Sequence, residues 1–228
     1  MSDSMTDEQF LSSYDPAAFP RVAITADTVL FSVVDGKLVA VLQRRAQAPA
    51  KGSWALPGGF VREGEGLDEA AARVLATKAH IERIWLEQLY TFGAPDRDPR
   101  MRVVTVAYFA LLAAEVVQSA VDAHDDLMLV DVARLPDLAF DHAEILAAAV
   151  ERLRGKIDYV PLAFALLPEM FTLRELQQVH EAILDTQFAK PAFRRRMIDQ
   201  GWIEPTGEYE TATPYRPAEL YRRRTDNA

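Results

Sequence analysis

The stretch WALPGGFVREGEGLDEAAARVLATKAHI, residues 54–81, constrains this chain more than any other. Trp54-Ala55-Leu56 is a short apolar strand that runs into Pro57-Gly58-Gly59, a turn that glycine makes without steric cost. Phe60-Val61 returns to apolar surface, and Gly64 and Gly66 break the chain again. From Leu67 the spacing predicts a helix, because Leu67, Ala70, Ala71, Val74, Leu75 and Lys78 share one side at intervals of three and four.

The flanking segments predict a mixed sheet around this unit. Residues 21–34 are rich in Val, Ile, Thr and Phe, Asp35-Gly36 suits a type I′ turn, and residues 37–44 continue extended. Residues 84–92 and 102–113 read as strands on either side of a charged loop, and residues 126–132 as a further strand. Asp141 is placed to cap a helix running to about Arg154, with Leu146, Val150 and Leu153 inward and Gly155 as its stop.

The pattern changes near residue 158. Pro161 opens a short helix that Pro168 ends. Thr172 and Glu175 form a capping box with Phe171 and Leu176 as its hydrophobic staple, predicting a helix to about Leu184. Pro191 opens another helix, which ends before Gly201, and residues 202–221 suggest a short hairpin. This order resembles a winged helix-turn-helix. The expected division is an arm over 1–20, one domain over 21–158 and a second over 159–228.

The chain has 228 residues, half of them apolar, with no apolar run of the ~20 residues that cross a bilayer. No membrane association is expected. With no cysteine and a polar, acidic N-terminus, the expected compartment is the cytoplasm. A net charge of −9 argues at first against nucleic acid, but the charge is unevenly placed. Residues 159–228 carry nine basic and ten acidic side chains, against 16 and 24 before them. The later basic residues cluster as Arg194-Arg195-Arg196 and Arg222-Arg223-Arg224, so one face can still be basic.

Residues 54–81 resemble the box of the Nudix family, G-x5-E-x7-R-E-U-x-E-E-x-G-U with U apolar. Gly59, Glu65, Arg73, Leu75 and Ile81 hold their places, whereas Val74, Thr77, Lys78 and His80 stand where the family has Glu, Glu, Glu and Gly. The family's glutamates hold a divalent ion against a pyrophosphate, since Mg²⁺ needs a near-octahedral set of oxygens. Thr77 offers a neutral hydroxyl and Lys78 a charge that repels the ion, so no catalytic residue, metal or cofactor is assigned. Glu63, Glu65, Asp68 and Glu69 remain, with Glu69 read as an i, i+4 partner of Arg73. Lys78 either neutralises a diphosphate in place of the ion or points to solvent. The loop Asp96-Arg97-Asp98-Pro99-Arg100 is similar to a segment of ADP-ribose-type Nudix proteins. Trp54 and Phe60 are each placed either to stack on a base or to fill the core.

A damaged Nudix box followed by a winged helix resembles the Nudix-related transcriptional regulators. That resemblance implies an α+β protein, a Nudix α/β/α sandwich followed by a winged helix-turn-helix. It implies a homodimeric repressor or activator that binds an operator and senses a nucleotide sugar such as ADP-ribose, with NAD metabolism a frequent target. The expected effector site comprises Trp54, Gly58, Gly59, Phe60, Arg73, Lys78, Arg97, Asp98 and Tyr108. On the second helix of the reader, Phe193 and Met197 point inward and Arg195 outward to a major groove, where a guanidinium can take two acceptors on guanine. Lys190, Arg194, Arg196, Arg216 and Arg222 are expected on the DNA, mostly on phosphates, with residues 213–217 as the wing tip. The competing readings are a hydrolase of ADP-ribose that uses the surviving carboxylates, and a protein-interaction module.

Overall fold

A computed structural model describes residues 6–82, 84–211 and 217–224. After a short helix α1 (Asp7–Ser13) with no buried residue, β1 (Ala23–Val34) and β2 (Lys37–Arg44) form the expected hairpin. Asp35 and Gly36 have φ of 50° and 71°, the positive values that a type I′ turn requires. β3 (Trp54–Ala55), β4 (Gly58–Phe60), α2 (Leu67–Val74), β5 (Glu87–Phe92), β6 (Val103–Leu111), α3 (Ala114–Ala123), β7 (Leu127–Asp131) and α4 (His142–Lys156) follow. The sheet runs β3-β2-β1-β6-β5, with β4 paired to β1 and β7 to β2. β1 and β6 are parallel, and both are buried along most of their length, as parallel strands with covered faces are.

Alternate residues of these strands feed two layers. Leu30, Val41 and Ala110 pack with Leu75 after α2 and with Val117 and Ala120 of α3. Val29, Phe31, Leu42 and Phe109 face the other way, onto Ile145, Leu146 and Leu153 of α4. The helix α3 is absent from the expected elements, because its larger apolar residues, Val116, Val117 and Val121, are all β-branched and weak helix formers.

The C-terminal elements are a 3₁₀ turn (Leu162–Leu166), β8 (Met170–Thr172), α5 (Leu173–Leu184), α6 (Lys190–Asp199), β9 (Ile203–Tyr209) and β10 (Glu219–Arg223). The Thr172/Glu175 capping box forms reciprocally, and Phe171 and Leu176 are both buried. The hairpin gains a third strand, in the order β8-β10-β9. Leu176, Val179 and Ile183 of α5 share one apolar cluster with Leu153 of α4, with Ile157 just after it, and with the sheet beyond. Arg154 adds a hydrogen bond from Nε to the carbonyl of Ile183 at 2.8 Å. α4 also runs past its expected end, since Gly155 lies inside it.

Candidate functional site

The box helix does not continue as a regular helix to its end. After Val74 the chain widens into a π segment (Leu75–Ala79), closed by His80 in the left-handed conformation at φ 56°. A glycine adopts that backbone freely, which gives the family's glycine at this position a physical reason. The three altered side chains then part company. Val74 is buried, Thr77 donates its hydroxyl to the carbonyl of Arg73 at 2.8 Å, and Lys78 reaches the wall of a cavity of about 300 Å³.

That cavity lies where β1, β2, β3 and β4 meet the loop before β6 and the start of α4. Gly58, Gly59, Phe60, Lys78, Arg97 and Asp98 of the expected set line it. Gly58 is required there by close approach, because a Cβ would stand 1.9 Å from Oδ1 of Asp27 on the paired strand. The other three residues of the expected set lie off the lining. Trp54 is half-buried against the core cluster, under the guanidinium of Arg44 at 5.7 Å. Arg73 is held by Glu65, with Nη2 donating to Oε2 at 2.8 Å, and by the carbonyl of Phe60 at 2.9 Å. Tyr108 is buried and donates its hydroxyl to Asp68 at 2.7 Å. Burial, with Asp68 beside it, holds that phenol above its usual range.

Three of the four surviving carboxylates, Glu65, Asp68 and Glu69, are engaged too. The Arg73 guanidinium, helped by the Arg62 amide, holds Glu65 down at about 2. Glu69 accepts from the Gly66 amide at 2.9 Å, so the expected Glu69–Arg73 pair gives way to Glu65–Arg73.

The expected set omits Arg44, Arg45, Asp27, Phe140 and His142, and also Arg100 of the quoted loop, all of which line the cavity. Five basic side chains face two acidic ones on its wall, in a chain whose net charge is −9. Arg97 is buried and committed to Asp141 through two hydrogen bonds of 2.7 Å, with Asp27 at 3.6 Å. Asp141 therefore spends its carboxylate on Arg97 and makes no side-chain cap on α4. Arg100 pairs with Asp98, which it pulls below the usual carboxylate range, and lies over the Phe60 ring at 5.1 Å and the Phe140 ring at 5.9 Å. Arg45 also lies over Phe140, at 4.6 Å, and burial together with Arg100 lowers its pKa. Lys78 and Arg45 form no ion pair among the described residues. His142 accepts the Leu56 amide on Nδ1 at 2.9 Å and is kept neutral chiefly by burial, so its proton sits on Nε2, facing Asp27 at 4.0 Å. The wall thus offers two cations without an ion pair, which suits a diphosphate, while arginines already lie over the Phe60 and Phe140 rings.

The second surface is α6. Phe193 and Met197 are buried and the Arg195 side chain is 85% exposed, ion-paired with Asp199 at 3.6 Å. Lys190 and Arg194 are exposed beside it. Arg196 is not free for phosphate. Its Nη2 donates to Asp158 at 2.7 Å and lies 3.4 Å from Nδ1 of His180, and its guanidinium covers the rings of Phe188 and Phe193. Arg222, on β10, pairs with Glu204 at 2.7 Å. Arg216 and the rest of the expected wing tip, through residue 216, lie outside the described residues.

His180 adds a pH dependence. Burial, and then Arg196, lower its pKa to about 4. The unfolded chain takes up this proton near the ordinary value of about 6.5, so stability is retained above that pH and lost as pH falls toward 4. The expected loss from this group is on the order of 2 kcal/mol by pH 5. Urea unfolding at pH 7 and pH 5 checks it, with His180→Gln expected to flatten the difference.

A seven-stranded mixed sheet between helices, a glycine-lined basic cavity beside a π-ended box helix, and an exposed arginine helix in front of a β-hairpin define a Nudix domain joined to a winged helix. The NUDIX domain model matches residues 24–149, and the model of the NrtR DNA-binding winged helix domain matches residues 163–223. The ADPR responsive transcriptional repressor NtrR of Acinetobacter baylyi is 40% identical over 221 residues, covering 95% of this chain and 88% of that protein. The chain belongs to the NrtR family of Nudix-related transcriptional regulators. Shewanella oneidensis NrtR in complex with a 27mer DNA superposes with a TM-score of 0.78 at 38% identity, over 88% of this chain and 93% of that one. The NUDIX domain of the same protein, crystallised with ADP ribose, gives 0.57 at 38% identity over 65% and 99%.

Proposed function

We propose that this chain is a transcriptional repressor whose Nudix cavity binds ADP-ribose without a metal ion, and whose winged helix releases or takes up its operator in response. The sensor lies within residues 21–158 and the reader within 159–228, after an arm over 1–20. The observation that carries the reading is Lys78, a cation set on the cavity wall where the family places a metal-binding carboxylate. The Nudix domain of the Shewanella relative binding ADP ribose, and that relative binding DNA, support the ligand and the partner. A cytoplasmic homodimer fits the same reading, because two recognition helices related by a twofold axis match two half-sites.

Hydrolysis is not part of this function. Val74 and Thr77 supply no metal ligand, and Glu65, Asp68 and Glu69 are already bound to Arg73, Tyr108 and the Gly66 amide. Turnover of ADP-ribose with Mg²⁺ is expected to stay far below ~1 s⁻¹, the low end of ordinary enzymes. Calorimetry in EDTA is the test of binding. Wild-type protein is expected to bind ADP-ribose, and Lys78→Ala to weaken it by about 1–2 kcal/mol, the loss of one charge-assisted contact. Unchanged affinity in the variant would reject Lys78 as the surrogate for the ion.

A further inference from the structure

The chain has four histidines and no cysteine, and the four divide cleanly. His142 and His180 are buried and hold backbone or arginine partners. His80 and His124 instead stack on each other, with ring centroids 3.5 Å and planes 11° apart. His80 is the left-handed residue that ends the π segment, and His124 is the residue that ends α3. Asp126, just before β7, joins them, so that one ligand atom from each of the three lies within 4.8 Å of the others.

From this cluster we propose a site for a divalent ion of the zinc class, held by His80, His124 and Asp126. Two imidazole nitrogens and one carboxylate oxygen suit Zn²⁺, Ni²⁺ or Cu²⁺ far better than Mg²⁺, which prefers oxygen alone. Three protein ligands leave one tetrahedral position to water. An ion with bonds of about 2 Å spaces its donors a little over 3 Å apart, so the cluster needs to close by no more than about 1.5 Å. Turning the exposed His80 ring out of the stack supplies that movement. Gln43 donates to Oδ2 of Asp126 at 3.2 Å, which orients the carboxylate and leaves Oδ1 for the ion, as second-layer partners do at metal sites.

This is not the metal position of the Nudix box, because Val74, Thr77 and Lys78 take no part in it. It is nevertheless joined to the effector cavity twice. Gln43 lines that cavity, and His80 follows two residues after Lys78 on the same segment. An ion would clamp the end of the segment carrying Lys78 to the start of β7, and so set the reach of that ammonium.

The experiment uses the full chain without a histidine tag and ZnCl₂ as the probe, because no cysteine competes for the metal. Calorimetry is expected to show one Zn²⁺ per chain, insensitive to millimolar Mg²⁺. His124→Ala and Asp126→Asn should each weaken it at least about tenfold. His80→Asn should do the same while keeping a residue that tolerates the left-handed backbone. Circular dichroism confirms the fold of each variant, and NMR of the wild type should show the ring signals of His80 and His124 moving with Zn²⁺ while those of His142 and His180 stay. No uptake by wild type up to roughly 100 μM Zn²⁺, far weaker than an occupied zinc site, overturns the proposal. So does uptake that the three substitutions leave unchanged.

Discussion

Replacing Arg97 with methionine is expected to cost about 3–5 kcal/mol of folding stability, the usual result of removing one partner from a buried charge pair. Arg97 is 8% exposed and ties three elements together, because Asp27 comes from β1, Asp141 precedes α4, and Arg97 itself sits in the loop before β6. Without the guanidinium, the buried carboxylate of Asp27 and the partly buried one of Asp141 lose their shared partner, and Arg45 is left to offset only Asp27. Urea unfolding monitored by circular dichroism measures the loss. A second variant separates charge from packing. Arg97→Met combined with Asp141→Leu removes one stranded carboxylate and is expected to recover part of the stability. If the double variant is less stable than the single by a further 3 kcal/mol or so, packing rather than charge holds this corner.

Arg195→Ala is expected to lower specific DNA affinity by about 1–3 kcal/mol and to relax preference at one base pair, leaving stability unchanged. The expectation follows from an 85% exposed guanidinium on α6, whose only ion pair among the described residues is with a solvent-exposed Asp199. Lys190→Ala should weaken binding more evenly across sequences and reduce the salt slope by about 1. Arg196→Ala is expected to behave differently from its neighbour. It breaks the contacts to Asp158, His180 and two phenylalanine rings, and so lowers thermal stability first. Anisotropy titrations over a range of salt concentrations, together with melting curves, distinguish the three.

What the sequence disclosed was local. A type I′ turn needs two positive φ angles, and Asp35-Gly36 announces them. The Thr172/Glu175 box and the Phe171/Leu176 staple lie within five residues of each other, so helix α5 could be placed from its first turn. The spacing around Phe193 gave the outward direction of Arg195 for the same reason.

What stayed hidden depended on partners distant in sequence. Arg196 looks as free as Arg195 in a triplet of arginines, and only the fold brings Asp158 and His180 to it. Asp141 reads as a helix cap until Arg97, 44 residues earlier, takes both its oxygens. The π segment has no signature of its own, since Leu75 to Ala79 continue an ordinary helical pattern. Arg44 and Arg45 end a strand, where basic residues are common, and nothing nearby marks them as cavity wall. Arg73 and Tyr108 came with the Nudix resemblance, but here they brace the box through Glu65 and Asp68 instead of facing the cavity.

The central claim is that occupancy of the Nudix cavity is read out on DNA. Titrating the chain into a labelled fragment of its own upstream region, in EDTA, with and without ADP-ribose, tests it most directly. Retardation without effector is expected, with a change in affinity of about 1–3 kcal/mol when ADP-ribose is present, and Lys78→Ala should need more effector to reach it. ADP-ribose binding that calorimetry detects but that leaves the DNA isotherm where it was would contradict the account, because a ligand with equal affinity for both states shifts nothing.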